Sequence, residues 1–420
     1  MKVFKFGGAS VDSVLRIRSL AAILQEFKSE KLLIVISAMG KTTNALEKVA
    51  KSYYSGDTPK ALELFEQIKN EHIQITESLG INSSISLQER LKNIFTEVEW
   101  LVNDVPVRNY GYYYDQIVCV GELLSTCIIS DFLQSSGISN RWVDVRDIFV
   151  TNDQFQSADI LWEKTSSRIT DQIIPLLEEE GFIVTQGFIG STDANESTTL
   201  GREGSDYSAA IFANILNAES LSIWKDVEGI MNADPKLFPD AVYIRELGYD
   251  EVIEMAFYGA QVIHPKTIKP LQNKNIPLHV KCFQNQKLPG TIIHSKHIQD
   301  LPPIIVIKEN QVLMHFSSTD FSFVGEEGTA RLYNILSSLH IQANLVQTGA
   351  VILQLCIDDI QEKIEKVAQE TNKFFDIRVE KKLTLLTIRH YQKELLERII
   401  NGRKIVLQQW SPETVQTLIL

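Results

Sequence analysis

Val3-Phe4-Lys5-Phe6-Gly7-Gly8 is a short, largely apolar run that stops on two glycines. It predicts a strand, and Val14, Ile17, Ala21 and Leu24 then recur at the spacing of one helical face. Residues 32–36, Leu-Leu-Ile-Val-Ile, form a continuous apolar run of the kind found in strands covered on both faces. A second helix follows, with Leu46, Val49, Ala50 and Tyr53 on one side. Residues 182–185 and 221–224 are further strand candidates, separated by a helix over 205–217. Repeated strand–helix alternation predicts an α/β fold: a mainly parallel sheet with helices on both faces, three layers α/β/α. Ligands of such sheets sit beyond the carboxyl ends of the strands.

The 420 residues are 44% hydrophobic and 22% charged, which suits two or three ordinary domains at ~150 residues each. With 41 basic and 53 acidic side chains the formal charge is −12, which argues against a nucleic-acid binder but leaves small anions possible. Cys119, Cys127, Cys282 and Cys356 form no CxxC pair, and His294 and His297 have no accompanying ligand pair, so no metal site is expected. Sparse cysteines suit a reducing compartment. Glycines interrupt the N-terminus after too few apolar residues for a signal peptide. No apolar run approaches the ~20 residues of a membrane span. The expectation is a soluble cytoplasmic protein without a membrane partner.

Four stretches carry chemistry. Gly7 and Gly8 let backbone amides approach a phosphate, with Lys5 as a compact charge beside them; a tight turn is the alternative. Gly40-Lys41-Thr42 imitates the end of a P-loop, but Val35 stands where that motif needs glycine. Thr198-Thr199-Leu200-Gly201-Arg202-Glu203-Gly204-Ser205-Asp206 runs into an apolar helix. Ser205 and Asp206 suit its cap, whereas Arg202 between glycines suits a carboxylate or phosphate clamp. The third stretch runs from Trp224-Lys225-Asp226 to Asn232-Ala233-Asp234-Pro235-Lys236, a nucleotide site or a structured turn. The fourth is Phe257-Tyr258-Gly259-Ala260-Gln261-Val262-Ile263-His264-Pro265-Lys266-Thr267, where Pro265 can simply open a helix.

Pro289 and Pro302-Pro303 mark a boundary near residue 300. Beyond it come a strand at 312–316, a helix at 328–339, strands at 343–346 and 351–357, a helix at 360–371 and a strand at 382–388. That order is ferredoxin-like. The remainder, 390–420, offers one short helix and two strand-like runs.

Taken in order, these blocks resemble the aspartate kinases of the amino-acid kinase superfamily. KFGGASV is similar to KFGGTSV, SAMGKTTN to the serine-to-Thr-Asn loop, Gly121-Glu122-Leu123-Leu124-Ser125 to GE-x-x-S, and residues 186–190 to QGFIG. TTLGREGSD is similar to TTLGRGGSD with Glu203 for Gly, WKDVEGIMNADPK to WTDVDGVYTADPR, and FYGAQVIHPKT to FGAKVLHPRT. The resemblance implies a catalytic kinase domain over 1–298, a ferredoxin-like ACT regulatory domain over 299–389, and a shortened second ACT-like segment over 390–420. It implies transfer of the γ-phosphoryl of ATP, with Mg²⁺, to the side-chain carboxylate of L-aspartate, the first step towards lysine, threonine and methionine. Another amino-acid kinase, such as a glutamate 5-kinase, and a non-catalytic amino-acid sensor are the alternatives.

Carried over by position, the resemblance implies that Lys5 and Asp206 are catalytic. Thr43, Glu122, Arg202 and Ser205 bind aspartate, Arg202 at the α-carboxylate and Glu122 at the ammonium. Lys5, Phe6, Gly7, Gly8, Lys225, Asp226, Met231, Lys236 and Gln261 fall where the family binds ATP. Gln261 replaces a lysine, Lys236 an arginine, and Glu203 adds negative charge beside Arg202. Lysine-sensitive relatives carry Asp, Ser and Glu where this chain has Asn344, Gly349 and Ala350, which implies weak or absent lysine inhibition. ACT regions pair, so a homodimer is expected.

Overall fold

The glycine-terminated opening run is strand β1 (Lys2–Phe6), joined through helix α1 (Val14–Gln25) to β2 (Leu32–Ile36). Every residue of β2 is buried, as its unbroken apolar text requires. The structure, a computed structural model, describes residues 1–318 and 324–420.

The chain forms two compact units. The first comprises Met1–Ile230, Ile244–Ile253 and Val262–Ile298; the second comprises Met231–Tyr243, Glu254–Gln261 and Gln299–Leu420. After β2, four helices follow in succession: α2 (Thr42–Tyr54), α3 (Thr58–Leu79), α4 (Ile85–Asn103) and α5 (Tyr110–Ser135). Next come β3 (Arg141–Val143), α6 (Trp162–Arg168), α7 (Ile174–Glu180) and β4 (Phe182–Gln186). An antiparallel pair, β5 (Ile189–Ser191) and β6 (Ser197–Thr199), leads into α8 (Gly204–Ile215) and β7 (Leu221–Lys225). The remaining elements are β8 (Ile230–Met231), β9 (Tyr243–Ile244), β10 (Glu246–Gly248), α9 (Tyr249–Tyr258), α10 (Pro265–Gln272), β11 (Leu278–Cys282) and β12 (Thr291–His294).

The first unit's main sheet runs β10-β12-β11-β7-β1-β2-β4-β3, parallel except for the β11–β12 pair. β1 lies between β2 and β7, so Lys5 leaves the sheet from its middle. Helix α5 corrects one expectation. Its 26 residues, with a mean hydropathy of 1.5 over its most apolar window, are long and apolar enough to cross a membrane. Burial within the fold accounts for that composition, since 94% of the window is buried.

The second unit holds β13 (Ile304–Ser318), α11 (Gly325–Ser338), β14 (Leu345–Thr348), β15 (Ile352–Asp358), α12 (Gln361–Thr371) and β16 (Phe375–Arg389). This is the expected strand, helix, strand, strand, helix, strand order. β13 and β16 are each 15 residues long, far longer than the sequence indicated. Their register shifts between Lys308 and Leu313, where Asn310 takes a left-handed conformation, so polar Glu309-Asn310 reads as a loop inside a strand. Val312, Met314 and Phe316 pack on one face with Leu332, Leu336, Ile364 and Val367 of α11 and α12. Leu313, alternating with them, packs with Cys356, Leu383 and Leu418 on the other. The tail forms α13 (Lys393–Ile400), β17 (Ile405–Trp410) and β18 (Thr414–Ile419). Both strands extend the same antiparallel sheet beyond β16, in the order β14-β15-β13-β16-β18-β17.

Candidate active site

A cavity of about 720 Å³ opens beyond the carboxyl ends of β1, β2 and β7, where the fold class places ligands. Lys5, Gly7, Gly8, Thr43, Glu122, Arg202, Ser205, Asp206, Lys225 and Asp226 all line it. Phe6 does not. The residue is fully buried, its ring stacks on Trp224 at 5.8 Å and its carbonyl accepts from Ser37 N at 3.1 Å, so it supports the floor of the site rather than touching a ligand. Met231, Lys236 and Gln261 belong to the second unit; there Lys236 sits in a turn, its N–H donating to Asp234 Oδ1 at 2.9 Å.

Two glycines explain how the walls come so close. A Cβ on Gly8 would lie 2.6 Å from Ala38 O, and Gly40 N donates to Gly8 O at 3.0 Å. The loop after β1 and the loop after β2 are therefore in backbone contact, which no side chain at position 8 permits. A Cβ on Gly187 would lie 2.6 Å from Ser205 Cα, so the end of β4 seats the amino end of α8 in the same way. Gly204 N there donates to Gly201 O and Asp206 N to Glu203 O, and the end turns the positive pole of the helix towards the cavity, suited to an anion. Three non-glycine residues lining the cavity hold left-handed backbones: Gln156 (φ 70), Phe188 (φ 69) and Glu203 (φ 55). Strain of this kind concentrates at functional sites.

Lys5 and Asp206, both buried, form an ion pair at 2.6 Å. Burial acts to raise the Asp206 carboxyl, but the ammoniums of Lys5 and Lys225 outweigh it and hold the group below the usual carboxylate range. Lys225 Nζ donates to Val262 O at 2.7 Å. Glu122 is the opposite case. Burial pushes its carboxyl up to about 8, against the Ala38 backbone and Lys5, and its Oε2 makes no hydrogen bond among the described residues. The Glu203 Oε2 is likewise buried without a hydrogen bond among them.

The lining holds three cations, Lys5, Arg202 and Lys225, against five carboxylates, Glu47, Glu122, Glu203, Asp206 and Asp226. Among the described residues no three metal-ligating side chains converge on one point. Such a site admits a hard divalent cation carried in by phosphates and touched by one or two carboxylates, which is how Mg²⁺ is usually held.

Sequence reasoning missed Glu47, Tyr114 and Gln156, all in the lining. Tyr114 Oη donates to Glu47 Oε1 at 2.7 Å, joining α5 to α2 across the rim. No motif announces either residue. Phe188, by contrast, lies within the quoted QGFIG block. Ser125 of GE-x-x-S supports the wall: its hydroxyl donates to Ser37 O at 2.8 Å, fixing the loop after β2.

Residues 1–282 match the Amino acid kinase family. Lysine-sensitive aspartokinase 3 of Escherichia coli is 32% identical over 361 residues, covering 85% of this chain and 78% of that protein. The chain belongs to the amino acid kinase family, among its aspartokinases. Aspartokinase 1, chloroplastic, of Arabidopsis thaliana is also 32% identical, over 391 residues and 88% of this chain. The chain spans about two thirds (67%) of that plant relative's length. The solved structure of E. coli aspartokinase III in complex with aspartate and ADP superposes with a TM-score of 0.82 at 27% identity, covering 100% of this chain and 96% of that one. The expected family and fold class therefore stand.

Proposed function

We infer that this aspartokinase transfers the γ-phosphoryl of ATP to the side-chain carboxylate of L-aspartate, giving 4-phospho-L-aspartate. The observation that carries this is the convergence of the buried Lys5–Asp206 pair, the glycine loop and the α8 amino end with Arg202 on one cavity. The solved relative holding aspartate and ADP supports the same pair of ligands.

The acceptor needs no general base, because a carboxylate with a reference pKa near ~3.9 is already ionised at neutral pH. The task is to bring two anions in line and to offset charge on the transferring group. Lys5 faces that group, the Gly7 and Gly8 amides line its path, and Asp206 fixes the lysine. Arg202 holds the substrate α-carboxylate, Glu122 its ammonium, and Thr43 and Ser205 add hydrogen bonds. Lys225 and Asp226 face the nucleotide. Mg²⁺ carried by ATP would offset the charge of its phosphates beside Asp206 and Asp226, the acidic side chains nearest the two lysines of the lining. A hydroxamate assay with Mg-ATP decides between aspartate and glutamate. Aspartate turns over, and Arg202→Ala raises KM for aspartate at least tenfold; a preference for glutamate, or an unmoved KM, removes the reading or the clamp.

The second unit acts as an ACT-type regulatory region and pairs the chain into a homodimer. Lysine inhibition is weak or absent. Asn344 spends its amide internally: Oδ1 accepts from Lys308 Nζ at 2.7 Å, and Nδ2 donates to Gln311 Oε1 at 2.7 Å and Asp358 Oδ1 at 2.9 Å. Titrating lysine into the assay up to millimolar concentration leaves the rate within about 20% under this reading, since no free carboxylate remains at position 344 to pair an amino-acid ammonium. A clear drop contradicts it.

A further inference from the structure

Asp115 of α5 is fully buried and lies outside every motif discussed above. Its Oδ2 accepts from Gln156 N and from Thr199 N, both at 2.9 Å, and its Oδ1 accepts from Thr199 Oγ1 at 2.7 Å. One carboxylate thus takes three donors from two segments distant in sequence. Both of those residues line the cavity. Gln156 is one of the strained left-handed residues, and its N–H is the group that Asp115 holds.

The two segments are also zipped together directly. Ala158 N donates to Thr199 O at 2.9 Å, and a Cβ on Gly201 would lie 3.3 Å from Gln156 O. Thr199 closes β6, and Arg202 follows three residues on. The place from which Arg202 projects is therefore set by a short, taut path that begins at Asp115.

We propose that Asp115 is a positioning residue for substrate binding: it anchors the Gln156 and Thr199 segments so that Arg202 meets the carboxylate of the amino-acid substrate. The inference rests on the reading of Arg202 given above. A neutral residue does this work less well. An asparagine can put its oxygen on the two N–H groups and turn its amide to the Thr199 hydroxyl, but it then holds both backbone segments through an uncharged acceptor. A charged acceptor also makes stronger bonds than a neutral one. The bland account, a satisfied buried aspartate that only stabilises the fold, makes a different prediction.

Asp115→Asn raises KM for aspartate about tenfold or more, leaving kcat and KM for ATP within about threefold. Thr199→Val, which removes one donor and leaves the backbone, shifts the same KM in the same direction by a smaller factor, while Thr199→Ser keeps the wild-type value. The double variant Asp115→Asn/Thr199→Val is no worse than Asp115→Asn alone, since both act on one anchor. Amide hydrogen exchange gives a reading that does not depend on the substrate: residues 156–158 and 199–203 exchange at least tenfold faster in Asp115→Asn, with the β1, β2 and β4 amides unchanged. An unchanged KM with unchanged exchange overturns the proposal, as does an equal loss of kcat and of both KM values. If Asp115→Asn does not fold, Thr199→Val against Thr199→Ser decides it. Should the wild-type enzyme fail to phosphorylate aspartate, the substrate reading falls while the exchange comparison still tests the anchor.

Discussion

Lys5→Ala lowers kcat by at least about 10², which corresponds to about 2.7 kcal/mol of lost transition-state stabilisation at 1.36 kcal/mol per decade. Lys5 leaves the middle strand of the sheet, is 8% exposed, and stands 2.6 Å from Asp206 Oδ1. An ammonium so placed is desolvated and already aimed, so it responds to charge developing on a transferring phosphoryl without reorganising. Removing it also leaves Asp206 with only Lys225 to offset its burial, out of the two ammoniums that hold its pKa down. Removing one partner of a buried ion pair costs on the order of 3–5 kcal/mol, so the variant melts earlier as well. Lys5→Arg and the double variant Lys5→Ala/Asp206→Ala separate the two effects. The double variant removes the buried carboxylate as well and regains thermal stability, yet it stays as slow as Lys5→Ala. Turnover of Lys5→Ala within a few-fold of wild type would falsify the phosphoryl role, whatever its melting temperature.

The parts of this fold legible in the sequence are those with a single environment. β2 is covered on both faces, so its five residues are all apolar and its limits could be read directly. β3, Arg-Trp-Val, is only partly buried at the sheet edge and gives no such signal. Helix α5 is illegible for the opposite reason. It is buried on nearly every side, which erases the 3.6-residue period by which helices are recognised. In the second unit the bulge at 308–313 places polar residues inside β13 and hides half of a 15-residue strand.

The same division runs through the site. Lys5 near the end of β1, Gly7 and Gly8 after it, Arg202 before α8 and Asp206 in its first turn all lie beside glycines that let backbones meet, and glycine spacing survives in sequence. Glu47, Tyr114, Asp115 and Gln156 reach the site or its support from helices and a loop that become neighbours only after folding. Nothing local distinguishes Asp115 from a surface aspartate. Its meaning comes from Thr199, 84 positions away.

The kcat/KM for aspartate climbs with pH up to about 8, and Glu122 causes the climb. The group is 3% exposed, and burial lifts its carboxyl to about 8 despite the Ala38 backbone and Lys5. Only the ionised form pairs with the substrate ammonium, so below that value binding must first remove a proton. About one tenth of the enzyme is in the competent form at pH 7 and about one hundredth at pH 6. The logarithm of kcat/KM therefore rises with unit slope between pH 6 and 7.5 and then flattens, a span approaching 10². Glu122→Gln removes the slope and leaves kcat/KM low at every pH. Stability moves in the opposite sense. The folded pKa is raised from 4.5, so the contribution is fully present below about 4.5 and lost as pH rises through about 8. Glu122→Gln is thus more stable than wild type at pH 7, by on the order of 3 kcal/mol. Better folding with poorer aspartate binding identifies a group strained for recognition. A variant that keeps the wild-type slope shows that another group titrates.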